Sequence, residues 1–234
     1  MKQVFDSAAD LRDAPDVGSR LRPKDAATLI VVRHDAAEPR VLMGRRAAGH
    51  VFMASKWVFP GGRVSRGDWN GPAATELRAD VAAQVDSGAA RRRARALGLA
   101  AIRETLEETG LFLAKPVAAQ PATGVWRRFI DAGVAADLAA LSYVARAITP
   151  PGRPRRFDAR FFMADASALT ALEPDGGDRE LDEIAWIAMS QTKDLDLPQI
   201  TRFVLSEVEA RFIEPERSVS YVRMVRGRHT VERL

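Results

Sequence analysis

The stretch that most constrains this chain is the nonapeptide from Arg103 to Leu111, Arg-Glu-Thr-Leu-Glu-Glu-Thr-Gly-Leu. Its glutamates, Glu104, Glu107 and Glu108, have the spacing i, i+3, i+4, which places them on one face of an α-helix. Like charges repel at this spacing, so helix stability alone does not account for the pattern. Three carboxylates on one face suit a hard divalent cation such as Mg²⁺, which prefers oxygen ligands. A solvated acidic face is the alternative interpretation, especially for Glu107 and Glu108 taken alone.

The sequence also indicates where this helix ends. Gly110 suits the left-handed conformation that follows many helices, so we expect it at the C′ position of a Schellman motif. With that numbering Leu106 and Leu111 are the C3 and C″ residues, whose side chains usually touch. The segment therefore predicts the last turns of a helix that presents acids on one side and stops abruptly.

The composition excludes several other kinds of site. The chain has no cysteine and only three histidines, which are far apart, so disulfides, thiolate chemistry and a histidine zinc site are not expected. Lys+Arg 35 against Asp+Glu 31 gives a net charge of +4, which does not favour a nucleic-acid binder. No apolar run approaches the roughly 18 residues of a membrane span, and the first residues lack the apolar core of a signal peptide. We therefore expect a cytoplasmic protein with no membrane partner.

The hydrophobic pattern predicts a mixture of strands and helices in one domain, 24–234, after a polar N-terminal arm, 1–23. The predicted strands are 26–33 and 41–46, which form a hairpin, and 142–148, 157–163, 180–187 and 218–225. The predicted helices are 72–85, 89–109, 125–141, with an interruption near Gly133, and 199–212. The segment 115–123 is expected to be a loop.

A proline and two glycines, Pro60, Gly61 and Gly62, follow a short apolar strand that begins at Trp57. The proline ends the hydrogen-bonded ladder, and the glycines permit backbone approaches that a Cβ atom would forbid. A tight turn is one interpretation, and a loop whose backbone meets a metal–phosphate ligand is the other. It is not a P-loop, because no Gly-Lys-Ser/Thr follows at the required spacing.

Taken together, Gly62, Asp68 and the string from Arg103 to Leu111 resemble the signature of the Nudix hydrolase family. That signature is a glycine, five residues, a glutamate, seven residues, and then Arg-Glu-U-x-Glu-Glu-x-Gly-U, where U is aliphatic. The second half fits at its fixed positions, and only Thr105, where an aliphatic residue is usual, is loose. The preceding Phe-Pro-Gly-Gly also matches the family's usual entry into the signature.

The chain departs from the family pattern in two places. Asp68 stands where glutamate is standard, and the segment 69–102 separates it from Arg103, where the family has seven residues. A long insertion here is known in a branch that includes coenzyme A diphosphatases, and 155–162 and 180–186 also look like that branch. An amphipathic helix in the insertion would pack on its own domain, form a homodimer or shape a pocket for an acyl chain, in that order of preference.

The resemblance implies an α+β fold, a Nudix-type α/β/α sandwich with a mixed β-sheet between helices, to which the insertion adds a helix. It also implies a site for Mg²⁺ or Mn²⁺. The ligands would be the carboxylates of Glu104, Glu107 and Glu108 and the carbonyl oxygen of Gly62. Arg103 would orient the carboxylates through a charge-assisted hydrogen bond, and Asp68, Gly61 and Gly110 would support the site.

The implied chemistry needs a group that takes a proton from the attacking water. The candidates for this base are Glu104 and Glu180, with Glu183 third; solvation at a strand edge is the alternative interpretation of Glu180 and Glu183. Three arginines are candidates for contact with the substrate phosphates: Arg45, Arg46 and Arg156.

The function that the resemblance implies is metal-dependent hydrolysis of the diphosphate linkage in a nucleoside diphosphate derivative, so the expected partner is a small nucleotide substrate. Coenzyme A or acyl-CoA is favoured because of the insertion. Dinucleoside polyphosphates, ADP-ribose and NAD(H) are the alternatives. A non-catalytic Nudix-fold binding or regulatory module is the alternative of another class, but degenerate members normally lose signature glutamates, and all three are present here.

Overall fold

A computed structural model of the chain describes residues 6, 10, 16–18, 20–47, 55–86, 91–177 and 180–234. The strands within these residues are β1 (Lys24–Arg33), β2 (Arg40–Arg46), β3 (Trp57–Val58), β4 (Gly61–Arg63), β5 (Ala73–Thr75), β6 (Ala114–Pro116), β7 (Val134–Asp137), β8 (Ser142–Ile148), β9 (Phe157–Asp165), β10 (Leu181–Ala188), β11 (Ser220–Val225) and β12 (Arg228–Arg233). The α-helices are α1 (Ala79–Val85), α2 (Arg91–Thr109), α3 (Trp126–Asp131) and α4 (Gln199–Ile213).

Nine of the strands form one mixed sheet. Its order is β10-β2-β1-β9-β8-β11-β12, with β3 paired to β2 and β4 paired to β1. Strand β1 is antiparallel to β2 and parallel to β9, and β8 is antiparallel to β9 and parallel to β11. A second, three-stranded sheet has the order β5-β7-β6. The predicted hairpin of β1 and β2 is confirmed, and so is the mixed character of the sheet.

The main sheet lies between two layers because both of its faces are apolar. Strand β1 buries Leu29 and Val31 on one face, in a core cluster that includes Leu97, Ile102 and Leu106 of α2. Its alternate residues Ile30 and Val32 lie in a second cluster with Phe203, Val204 and Val208 of α4. Alternate side chains of β1 thus point to opposite faces of the sheet and pack in two separate cores. The predicted α+β fold, a mixed sheet between helices, is confirmed.

Two predicted helices were wrong in part. In 72–85 the helix begins only at Ala79, because the preceding residues form β5, which pairs in parallel with β7, and the Thr75 hydroxyl donates to Asp137 at 2.5 Å. In 125–141 the helix α3 ends at Asp131, and Gly133, with φ +73°, turns the chain into β7. Sequence periodicity did not detect β6, in the predicted loop, or β12. The predicted start of α2 at residue 89 lies outside the described residues.

The inserted segment folds onto the same domain. Val81 and Val85 of α1 are buried in the core cluster that also contains the apolar residues of α2. Strand β5 adds to the three-stranded sheet. The inserted segment therefore stays attached to the same core, which keeps the residues before and after the insertion close together. In the described part of the chain no helix is both long and apolar enough to cross a membrane.

The described residues of the N-terminal arm run along the loop between β8 and β9. The amide of Val17 donates to the carbonyl oxygen of Gly152 at 2.8 Å. Farther along, Arg156 donates to the carbonyl oxygen of Leu21 at 2.7 Å. Asp10 forms an ion pair of 2.7 Å with Arg153. These contacts place the described part of the arm against the domain.

The carboxylate of Glu207 joins α4 to the C-terminal hairpin of β11 and β12. It accepts hydrogen bonds from Arg217 at 3.1 Å and from Arg233 at 2.9 Å, and Arg211 lies 3.6 Å away. Burial alone would raise the pKa of Glu207, but the hydrogen bonds from Arg233 and Arg217 lower it to about 2. The charged form is therefore stabilised by the folded state.

Replacing Glu207 with glutamine should lower the free energy of unfolding at pH 7 by about 2 kcal/mol or more, because buried arginines lose their counter-charge. Since the folded pKa lies below the ordinary 4.5, this stabilisation is complete above pH 4.5 and is lost as the pH falls towards 2. Urea unfolding at pH 7 and at pH 3 should show a smaller difference between the two proteins at pH 3. Glu214→Gln is the matched control, since Glu214 is exposed and pairs only at the surface with Arg217. An equal difference at both pH values would contradict the assignment.

Candidate functional site

The helix α2 ends in the conformation that the glycine predicted, but with a different hydrogen bond. Gly110 has φ +78°, and its amide donates to the carbonyl oxygen of Leu106 at 2.9 Å. This is the αL motif rather than the predicted Schellman motif, because the amide of Leu111 donates instead to the hydroxyl of Thr109, at 3.3 Å. Leu106 and Leu111 are both buried. The helix therefore stops directly after Glu108, which leaves the acidic face in its last turns.

A cavity of about 810 Å³ lies beside this helix end. Its wall joins residues from α2, β4, the end of β2 and the start of β10. The sequence-predicted site residues that line it are Arg46, Gly61, Gly62, Arg103, Glu104, Glu108 and Glu180. Residues far apart in the chain thus meet at one end of a single cavity.

Two of the three signature carboxylates line this wall, Glu108 buried and Glu104 half-buried. Glu108 is 2% exposed and accepts a hydrogen bond from the amide of Gly61 at 3.0 Å. The pKa of Glu108 is raised to about 8, mainly by burial, with Arg46 opposing the shift and the nearby charges of Glu104 and Glu180 adding to it. Burial also raises the pKa of Glu104 to about 7, against the opposing charge of Arg103. Burial therefore disfavours the charged forms of both carboxylates.

The guanidinium of Arg103 contacts carboxylates from both halves of the signature. It is 6% exposed and donates to the carbonyl oxygen of Arg63 at 2.9 Å. On the cavity side its Nη1 lies 2.8 Å from Glu104 and also donates to Glu107. On the other side it donates to both oxygens of Asp68, at 2.7 and 3.0 Å. One side chain thus positions carboxylates from both halves of the signature.

Asp68 reaches the site through Arg103 and not directly. It lies in a single 3₁₀ turn, Gly67–Trp69, is fully buried, and also accepts a hydrogen bond from the amide of Ser65 at 2.7 Å. It is outside the cavity lining. The insertion of 69–102 therefore leaves the two halves of the signature in contact.

The glycines of β4 are required by close approach. A Cβ atom on Gly62 would overlap the carboxylate of Glu104, and a Cβ atom on Gly61 would come within 2.7 Å of the backbone of β1. Any larger residue at position 62 would displace Glu104 from the cavity wall. Gly61 and Gly62 lie in the short strand β4 beside Glu104, and their contact with a metal–phosphate ligand stays a prediction.

The carboxylates are not gathered as a ready-made metal cage. Glu107 points to Arg103, and in the described ranges no cluster of three or more acidic or histidine side chains is arranged to hold a metal ion. The chemistry of the donor set nevertheless fits a divalent cation. Glu104 and Glu108 line one cavity, burial raises the pKa of both, and carboxylate oxygens are the ligands that Mg²⁺ and Mn²⁺ prefer.

Of the candidate bases Glu180 and Glu183, only Glu180 lies at the cavity. Glu180 lines the cavity close enough to Glu108 to influence its charge. Glu183 lies on β10, 3.2 Å from Arg45, away from the cavity lining. The loop before Glu180 is tied to the end of α2, since the amide of Asp175 donates to the carbonyl oxygen of Thr109 at 3.1 Å.

Of the three arginines predicted to contact phosphates, only Arg46 lines the cavity. Arg45 pairs with Glu183. Arg156 donates to the carbonyl oxygens of Thr149 and Leu21, so it anchors the N-terminal arm and its predicted contact with substrate is not supported by its position. The sequence analysis missed several further polar residues of the cavity wall, among them Asp10, Arg153 and His229. No motif or spacing in the sequence connects these positions.

Comparison with known proteins gives matches only among solved structures. No model of a protein family matches the sequence, and no curated protein matches it. The Nudix hydrolase from Alicyclobacillus acidocaldarius is 27% identical over 80% of this chain and 91% of its own, with a TM-score of 0.59.

Two more distant matches are the Nudix domain of Shewanella oneidensis NrtR (9% identity, 88% of this chain and 99% of that chain, TM-score 0.48) and RenU of M. smegmatis (19% identity, 85% and 90%, TM-score 0.42). The TM-scores of these two matches are too low to support an argument, so the argument from structure uses the Alicyclobacillus protein. The chain therefore shares the fold of that Nudix hydrolase, and the two halves of its Nudix-like signature meet across the insertion.

Proposed function

We propose that this protein is a divalent-metal-dependent hydrolase that cleaves the diphosphate linkage of a nucleoside diphosphate derivative. The observation that carries the proposal is a pair of carboxylates, the buried Glu108 and the half-buried Glu104, that line one cavity of about 810 Å³. Buried carboxylates need compensating positive charge, and this volume lies in the range of small-molecule sites. A metal–diphosphate complex supplies both a cation for the carboxylates and a ligand for the cavity.

The residues proposed to hold Mg²⁺ or Mn²⁺ are Glu104, Glu107, Glu108 and the carbonyl oxygen of Gly62. The raised pKa values of Glu104 and Glu108 support this assignment, because a cation between them would offset their repulsion. When bound, such an ion polarises phosphate oxygens and lowers the pKa of a bound water.

The protein's own residues would then position and deprotonate the attacking water. Arg103 fixes Glu104 through its Nη1, and Asp68 fixes Arg103 from behind. Glu104 lines the cavity and is the first candidate for the base. Glu180, beside Glu108, is the second candidate. Arg46 offers positive charge to the substrate phosphates from the same wall.

Among diphosphate substrates we place coenzyme A or acyl-CoA first, because of the long insertion, and then dinucleoside polyphosphates, ADP-ribose and NAD(H). The test is incubation of the purified protein with each compound and Mg²⁺ or Mn²⁺, with the products identified by mass spectrometry. Cleavage of coenzyme A to phosphopantetheine and adenosine 3′,5′-bisphosphate would establish the first choice. Absence of turnover for every compound would favour the binding or regulatory module instead.

Replacing Glu108 or Glu104 with glutamine should reduce kcat by about a hundredfold or more, since each change removes a charge needed for the metal or for proton transfer. Steady-state kinetics on the best substrate of the panel, with circular dichroism to confirm the fold, measures this effect. Glu76→Gln is the matched control, because Glu76 is an exposed carboxylate that pairs with Arg95 outside the cavity. Wild-type turnover in the Glu108 variant would refute the metal-site assignment.

Replacing Asp68 with asparagine should raise the metal concentration for half-maximal activity by about tenfold to a hundredfold, as is typical when a partner behind a metal ligand is lost. The reason is that Arg103 loses the charge that holds it against both signature halves. The measurement is activity as a function of Mn²⁺ concentration. Asp80→Asn, an exposed site on α1, should leave the metal dependence unchanged. An unaltered curve for the Asp68 variant would show that the ion pair does not act on the site.

A further inference from the structure

The cavity extends well beyond the carboxylates, across the face of the main sheet. Its floor is a row of residues in register on neighbouring strands: Ala26 pairs with Ala159, Ala159 with Ala147, and Ala147 with Val222. Cross-strand partners share a face of the sheet, so these side chains form one continuous floor. From β4, beside Glu104, to β11 there are four strand spacings, which is about 19 Å. The cavity therefore has two ends with separate surroundings.

At the end of the cavity opposite Glu104 and Glu108, the carboxylate of Asp10 lies among cationic and polar side chains. The carboxylate of Asp10 lies 2.7 Å from Nη2 of Arg153 and 3.6 Å from Nε2 of His229. All three side chains line the cavity together with Thr149 and Arg155. Arg153 is 1% exposed, and Asp10 comes from the N-terminal arm, not from the sheet. The domain itself thus supplies the cationic part of this cluster, and the arm supplies the anion.

The charges at this end are not balanced by Asp10. Arg153 and Arg155 carry two positive charges among the lining residues, against one negative charge on Asp10. The buried Nε of Arg153 also has no hydrogen-bond partner among the described residues. A buried guanidinium with unused donors is costly unless a further acceptor approaches it. The cluster is therefore electrostatically suited to an additional oxyanion.

We infer that Arg153, with Arg155 and His229, forms an oxyanion-binding subsite of the cavity, and that the carboxylate of Asp10 occupies this subsite when no ligand is bound. The ligand group is a phosphate monoester or a carboxylate on the part of the substrate remote from the scissile diphosphate. This identification of the ligand as substrate rests on the proposed function. The distance between the two ends selects elongated substrates with an anionic group roughly 15–20 Å from the diphosphate.

The test is direct binding of inorganic phosphate, and separately of acetate, to the full chain in the presence of a metal chelator. The chelator removes any metal ion through which a probe could bind at the carboxylate end. Isothermal titration calorimetry should show that Asp10→Asn binds phosphate several times more tightly than the wild type, because a competing anion is removed. Adding Arg153→Gln to that variant should weaken binding by about tenfold, the usual effect of losing a charged hydrogen bond. The more tightly bound probe identifies the group as phosphate or carboxylate.

Two variants protect the test against misfolding and misplacement. Arg155→Gln changes an exposed side chain, so it should fold normally and should also weaken binding in the Asp10→Asn background. Arg127→Gln, an exposed arginine on α3 that pairs with Asp131, is the matched control and should change nothing. Equal affinity in the wild type and in all variants would overturn the inference. So would loss of binding only in Arg46→Gln, because the phosphate would then lie at the carboxylate end. The readout needs no turnover, so its failure is distinct from a failure of the proposed hydrolysis.

Discussion

The ion pair between Asp68 and Arg103 is the contact on which the site depends. It is buried on both sides, and its two hydrogen bonds fix the plane of the guanidinium. Arg103, held in this plane by Asp68, contacts Glu104 and Glu107. Asp68, which precedes the insertion, therefore helps to position the carboxylates of α2. Burying two charges is expensive unless their hydrogen bonds are satisfied, and here the amide of Ser65 and the carbonyl oxygen of Arg63 complete the set.

This contact explains why a long insertion is compatible with the signature. Closing a longer loop costs little extra entropy, since the cost grows only with the logarithm of its length. What matters is that the residues on either side return to the same place. The 3₁₀ turn that carries Asp68 packs against α2, and α1 buries Val81 and Val85 against the same core. Asp68 is one methylene shorter than the usual glutamate, and its contact with Arg103 shows that this length suffices to reach the guanidinium.

The parts of the structure that could be predicted are those specified by local sequence. The apolar run of β1, the periodicity of α4 and the glycine after α2 each carry their own signal, and each element forms where the sequence indicated. Strand β5 could not be predicted, because its formation depends on pairing with β7 and on the bond from Thr75 to Asp137, 62 positions away. The same holds for the site. The glutamates could be recognised from their spacing, but the approach of Asp10 to Arg153 spans 143 positions and is set by folding alone.

The two ends of the cavity differ in charge, and this difference constrains how a ligand can lie in it. At one end Glu104 and Glu108 are the proposed ligands of divalent cations, and a diphosphate would bind there together with those cations. At the other end Arg153 and Arg155 attract an anion without any metal. Between the two ends, the floor of Ala26, Ala147 and Ala159 provides space for a ligand but few polar contacts to it. A molecule with anionic groups at both ends is therefore oriented by the metal requirement, because only its diphosphate end can bring the cations that the carboxylates need.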